Sequence, residues 1–193
     1  MSGDVQPADP HFRELGGGLL AMNEQRRWLR EDDELLEMTA YHEAGHALMA
    51  FHVGARVRSM SLSPDADGRK ERYAEVAVEW PRERFATREY QVKAIQVALA
   101  GPAAEMHHRG EPFHPGFVSE WAADWQAAWE ATECLAHEPA QRIRLLEHWT
   151  SYVYQWLDRT EHWAALAAIV DHLLAHEHVE GSEIDDLVGP WLG

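Results

Sequence analysis

Apolar residues recur at three- and four-residue spacing along most of this chain and alternate strictly only over one short stretch. Leu36, Ala40, Ala44, Ala47, Leu48 and Phe51 form a broad apolar face. That spacing predicts a partly buried helix, ending near Val53-Gly54 because a glycine just past a helix is a common stop. The period then changes. Residues 57–62 read as β-like, and over residues 73–80 Val76, Val78 and Trp80 alternate with Glu75, Ala77 and Glu79. Residues 63–68, Ser-Pro-Asp-Ala-Asp-Gly, separate the two runs as a turn. The pattern predicts a β-hairpin or small sheet with one wet face, closed by Pro81.

From Thr87 the helical period returns. Tyr90, Ile95 and Leu99 form a stripe that runs to Gly101-Pro102, where a break is expected, with a new short helix over residues 102–107. Gly110, Pro112, Pro115 and Gly116 mark a loop. Beyond it Trp121, Trp125 and Trp129 recur every four residues. Leu146, Trp149, Val153 and Trp156 repeat at three and four, and Leu166, Ile169, Val170, Leu173 and Leu174 share one helix face. The tryptophans read as packing residues rather than a cofactor box. The expected fold is mainly α, a multi-helical domain with a small β-hairpin or sheet after the first helix. Pro7, Pro10 and Gly16-Gly17-Gly18 suggest a flexible N-terminal tail over residues 1–20, ahead of a single domain over 21–193.

Composition narrows the setting. The 193 residues are 46% hydrophobic and 26% charged, ordinary for a globular chain. A net charge of −16 argues against nucleic acid and against an anionic membrane surface as partners. The single cysteine, Cys134, excludes an intramolecular disulfide, fits a reducing compartment and is expected as a small buried apolar residue. No apolar run is long enough to span a membrane. The N-terminal Asp4, Pro7, Asp9 and Pro10 do not make a signal peptide, so the chain reads as cytoplasmic. No phosphate-binding loop of the ATPase type is present.

The chemistry concentrates at Ala40-Tyr41-His42-Glu43-Ala44-Gly45-His46. Two histidines four apart lie on one helix face, about one turn from each other, and can share a metal ion. Glu43 sits at the rim of that face, where a general base serves a zinc peptidase. In a chain with 13 histidines, chance supplies such a match about once in ten sequences of this length. Gly45 costs about 1 kcal/mol in a helix relative to alanine; close approach of another segment at the metal would explain it. Catalytic zinc takes three protein ligands. Glu105 and Asp124 are the acidic candidates for the third, and His107, His108 and His114 compete with them. His172 and His176 form a second four-residue pair, with no following glutamate, and read as a solvated face.

Residues 39–48, Thr-Ala-Tyr-His-Glu-Ala-Gly-His-Ala-Leu, resemble the peptidase domain of the FtsH family, the membrane-anchored AAA+ zinc proteases. The likeness continues in order. Residues 57–64 match the strand after the motif helix, and residues 99–105, Leu-Ala-Gly-Pro-Ala-Ala-Glu, resemble the family's L-x-G-x-A-A-E segment. Residues 119–132 resemble the helix with the N-D-L-x-x-A-T pattern, and residues 166–184 the closing helix and short tail. Roughly residues 35–190 are covered. The resemblance implies Asp124 as third ligand beside His42 and His46, with Glu105 as a supporting group behind a ligand or a fallback ligand. Ala123 and Met106 depart from the family pattern, and the ATPase module and membrane anchors do not accompany the resemblance.

The expectation is a zinc-dependent metalloendopeptidase of H-E-x-x-H type, in which Glu43 activates a zinc-bound water against a peptide bond without ATP. Its partners would be a peptide or protein substrate, with self-association and a separate ATPase as further options. The alternatives are an inactive peptidase-like binding or scaffold protein, and a peptidase subunit served by that ATPase.

Overall fold

The computed structural model describes residues 10–63 and 73–192, with side chains for 31–62 and 74–192. Residues 1–9 of the expected tail and the turn over 64–68 lie outside the described residues. The chain divides into two units, Met1–Leu35 and Leu36–Gly193. The described part of the first belongs to helix α1 (Pro10–His52). The second holds the C-terminal part of α1, all later elements and the candidate site.

In this unit Ala40, Ala44, Ala47 and Leu48 are fully buried, as their spacing requires. The helix stops where Gly54 takes the left-handed conformation, φ +82°. Its N–H then reaches the Phe51 carbonyl at 3.0 Å, and the Ala55 N–H reaches Ala50 at 2.9 Å. Two carbonyls that the helix end would strand are thus bonded.

The chain next forms β1 (Arg56–Ser63) and β2 (Tyr73–Glu79), paired antiparallel, with Met60 opposite Val76. A third strand, β3 (His178–Glu180), pairs with the other edge of β1 and sets Val179 against Met60, giving the order β2-β1-β3. Three residues are too few to show an alternation, so this strand has no signature in the sequence.

Helix α2 (Thr87–Arg109) runs straight through Gly101-Pro102, so the expected break and separate helix over 102–107 are corrected. Proline inside a helix removes one N–H and costs about 3 kcal/mol. Tertiary packing outweighs this: Leu99 through Met106 are all buried on α2. Helices α3 (Ala122–Ala131) and α4 (Pro139–Leu157) pack on α2, and α5 (Thr160–His176) packs on α6 (Gly181–Leu192). A large core joins α1, the sheet, α5 and α6; a smaller one, around Ile95, Leu99, Ala128 and Leu146, fills the space between α2, α3 and α4. Cys134 is exposed rather than buried, because it falls in the turn after α3. Among the described residues no helix is long and apolar enough to cross a membrane.

Candidate metal centre

Helices α1 and α2 cross at their glycines. A Cβ on Gly45 would lie 2.9 Å from Ala104 Cβ and collide with the Ala100 carbonyl. A Cβ on Gly101 would lie 2.7 Å from His42 Nε2 and closer still to His46 Nε2. Gly45 therefore lets α2 approach, and Gly101 leaves room for the two imidazoles. In the sequence Gly45 stands out as a costly glycine inside a helix, whereas Gly101 reads as part of a helix break.

The crossing fixes the rings. His42 Nδ1 lies 2.7 Å from Glu105 Oε1, and His46 Nδ1 lies 2.8 Å from the Val97 carbonyl. A carbonyl only accepts, so His46 carries its proton on Nδ1. The Glu105 carboxylate holds the His42 Nδ1 proton in the same way. Both Nε2 atoms then face each other, 3.0 Å apart. Asp124, in the first turn of α3, adds Oδ2 at 3.0 Å from His42 Nε2 and Oδ1 at 3.4 Å from His46 Nε2. Two ring nitrogens and a carboxylate converge on one point, an arrangement that a shared proton or metal ion stabilises.

These three residues could hold a metal ion. Ligand atoms at about 2.0–2.1 Å from a tetrahedral ion stand about 3.3 Å apart, close to the separations here. His-His-Asp is a donor set that suits zinc and leaves a fourth position for a small molecule.

Electrostatics agree with a cation-seeking site. Burial disfavours charge on the His42 ring, but its bonds to Asp124 and Glu105 prevail and hold its pKa up at about 10. Burial would likewise raise Asp124, yet its bonds to His42 and His46 pull it well below the usual carboxylate range. Glu43 moves the other way. Burial pushes its carboxyl up, and the neighbouring histidines only partly oppose this.

Glu105 is not among the converging ligands, because it lies against the far nitrogen of the His42 ring. Its Oε1 also accepts from the Trp121 indole N–H at 2.8 Å, and its Oε2 from Arg109 at 3.2 Å. Trp121 is fully buried and directly precedes α3. One indole thus ties the helix of Asp124 to the carboxylate that orients His42. In the sequence Trp121 is legible only as part of a packing stripe; its N–H partner is 16 residues away.

The remaining candidates are engaged elsewhere. His107 Nε2 donates to the Tyr154 carbonyl at 2.8 Å, His108 stacks on Tyr41, and His114 accepts from the Gly116 N–H. His172 lies 3.6 Å from Glu183 and against His176, and its Nε2 is buried without a hydrogen-bond partner rather than on a solvated face.

The ligands open onto a cleft of about 730 Å³. Glu43 lines it, with Val97 and Ala98 from α2 and Ala123 and Ala127 from α3. The opposite wall is β2, through Ala74, Val76 and Val78, with Trp80 just beyond. β2 pairs with β1, and no other described strand covers its second edge. Compared with the models of known protein families and with curated proteins, this sequence matches none.

Proposed function

We propose that this chain is a zinc-dependent metalloendopeptidase of H-E-x-x-H type, related to the peptidase domain of the FtsH family. The observation that carries the reading is the convergence of His42 Nε2, His46 Nε2 and Asp124 in a cleft that Glu43 also lines. A structural zinc has four closed protein ligands and no use for a general base.

His42, His46 and Asp124 would hold the ion, with Glu105 and the Val97 carbonyl fixing the rings. Bound there, zinc supplies a Lewis acid that acidifies water and polarises a carbonyl oxygen. Glu43 takes the proton of the attacking water and returns it to the leaving amine. Burial raises its pKa, which favours holding the proton between the two transfers. The free edge of β2 can hold an extended peptide by strand addition, with side chains alternating toward and away from the cleft.

The test is Glu43→Gln in purified protein. The expected result is full zinc content with hydrolysis of a peptide library lowered at least a hundredfold. Unchanged cleavage would defeat the mechanism. A wild-type protein that binds zinc and peptides but cleaves none would favour the binding-module reading instead. Asp124→Ala should lose the metal; Glu105→Ala should weaken it.

A further inference from the structure

The charge of the cleft is one-sided. On α3 and the turn before it, Glu120, Asp124, Ala127, Glu130 and Ala131 share the face that lines it. Glu120 stands one turn before the candidate ligand, and Glu130 about 9 Å beyond it along the axis. Glu75 projects from the β2 wall, and Glu43 comes from α1. With a metal in place of the His42 proton, the described lining sets one side-chain cation, Arg82, against these five carboxylates. Its guanidinium donates to the Tyr90 hydroxyl at 2.9 Å and lies 4.1 Å over that ring. A divalent ion and Arg82 together leave the described lining two charges negative.

Its shape fits the same ligand. Much of the helical lining is methyl groups, Ala94 and Ala98 from α2 and Ala127 and Ala131 from α3. A lining of small apolar residues and carboxylates suits a side chain with a long apolar stem and a cationic head. We infer that this cleft selects peptide segments carrying lysine or arginine side chains, with Glu75, Glu120 and Glu130 as the residues that set the preference. The inference rests on the peptidase reading for its substrate class and deepens it. A cleft lined by one sign of charge concentrates field at its mouth, so opposite charges gain both affinity and encounter rate. Each exposed carboxylate contributes about two- to fivefold, less at high salt.

The test measures binding and cleavage separately. Zinc-loaded Glu43→Gln protein is titrated at low salt with three fluorescent peptides of equal length, one lysine-rich, one neutral and one glutamate-rich. The lysine-rich peptide is expected to bind at least tenfold more tightly than the glutamate-rich one. Adding E75Q, E120Q and E130Q together should abolish or reverse that preference, while E111Q, E161Q and D186N, an equal charge change outside the cleft, should leave it standing. In wild type the same preference should appear in KM. Equal affinities, a preference that survives the cleft variant, or one that the outside variant erases equally would each overturn the inference. Preferential binding with no cleavage of any peptide would leave it standing while the peptidase reading fails.

Discussion

A single methyl group at Gly101 tests the architecture of the candidate metal centre. Gly101→Ala puts a Cβ 2.7 Å from His42 Nε2 and 2.8 Å from His42 Cδ2, and nearer still to His46 Nε2. Ordinary contact needs 3.4 Å or more, so at least one ring must move by several tenths of an ångström. Metal sites tolerate about 0.2 Å in ligand distance. Zinc affinity should fall at least a hundredfold, about 2.8 kcal/mol. The fold should survive: overpacking costs about 1–3 kcal/mol, and alanine returns about 1 kcal/mol of helix propensity. The assay is competition against a chromophoric chelator, with urea unfolding of the metal-free protein alongside. Gly189→Ala is the control, since a Cβ there meets nothing within 4 Å. It should add about 0.5–1 kcal/mol of stability and leave zinc binding alone. Wild-type zinc affinity in Gly101→Ala would refute the account of the crossing.

Trp121→Phe removes the indole donor to Glu105 and leaves a small void in the core. Urea unfolding should show a loss of about 2–4 kcal/mol, and chelator competition about a tenfold loss of zinc affinity through the His42 ring. In the metal-free chain His42 has a pKa of about 10 against 6.5 when unfolded. Its contribution is therefore complete below about pH 6.5 and fades as pH rises through 10. Unfolding midpoints of chelator-treated protein should be lower at pH 9.5 than at pH 6.5. A metal must displace that proton, so zinc affinity should climb over the same interval, read by calorimetry in buffers of different ionisation enthalpy. Gly181→Ala would drive a Cβ into the Val57 carbonyl of β1, with Val57 C at 2.9 Å. It should detach β3 from β1 and cost more than 3 kcal/mol, visible as an early transition in hydrogen exchange.

How much of this is legible in the sequence follows the distance over which each feature is decided. The helix face of Ala40, Ala44, Ala47 and Leu48, its stop at Gly54, the alternation of β2 and the pairing of His42 with His46 are local. Backbone periodicity and one turn of helix determine them, so the sequence by itself is sufficient. That the fold is mainly helical with a small sheet follows from the same periods. Four features depend on which faces meet. Pro102 stays inside α2 because the surrounding core holds that helix together. The three-residue β3 exists because β1 offers it an edge. The histidine rings take their orientation from Glu105 and Val97, more than 50 residues away. Trp121 and Gly101 acquire their roles only where α1, α2 and α3 come together. A pattern along one element says which side will be buried and is silent on its partner. The sequence by itself thus determined the pair of histidines and, through the resemblance, nominated Asp124, while only the tertiary structure decided the space and the ring orientations that bring the three together.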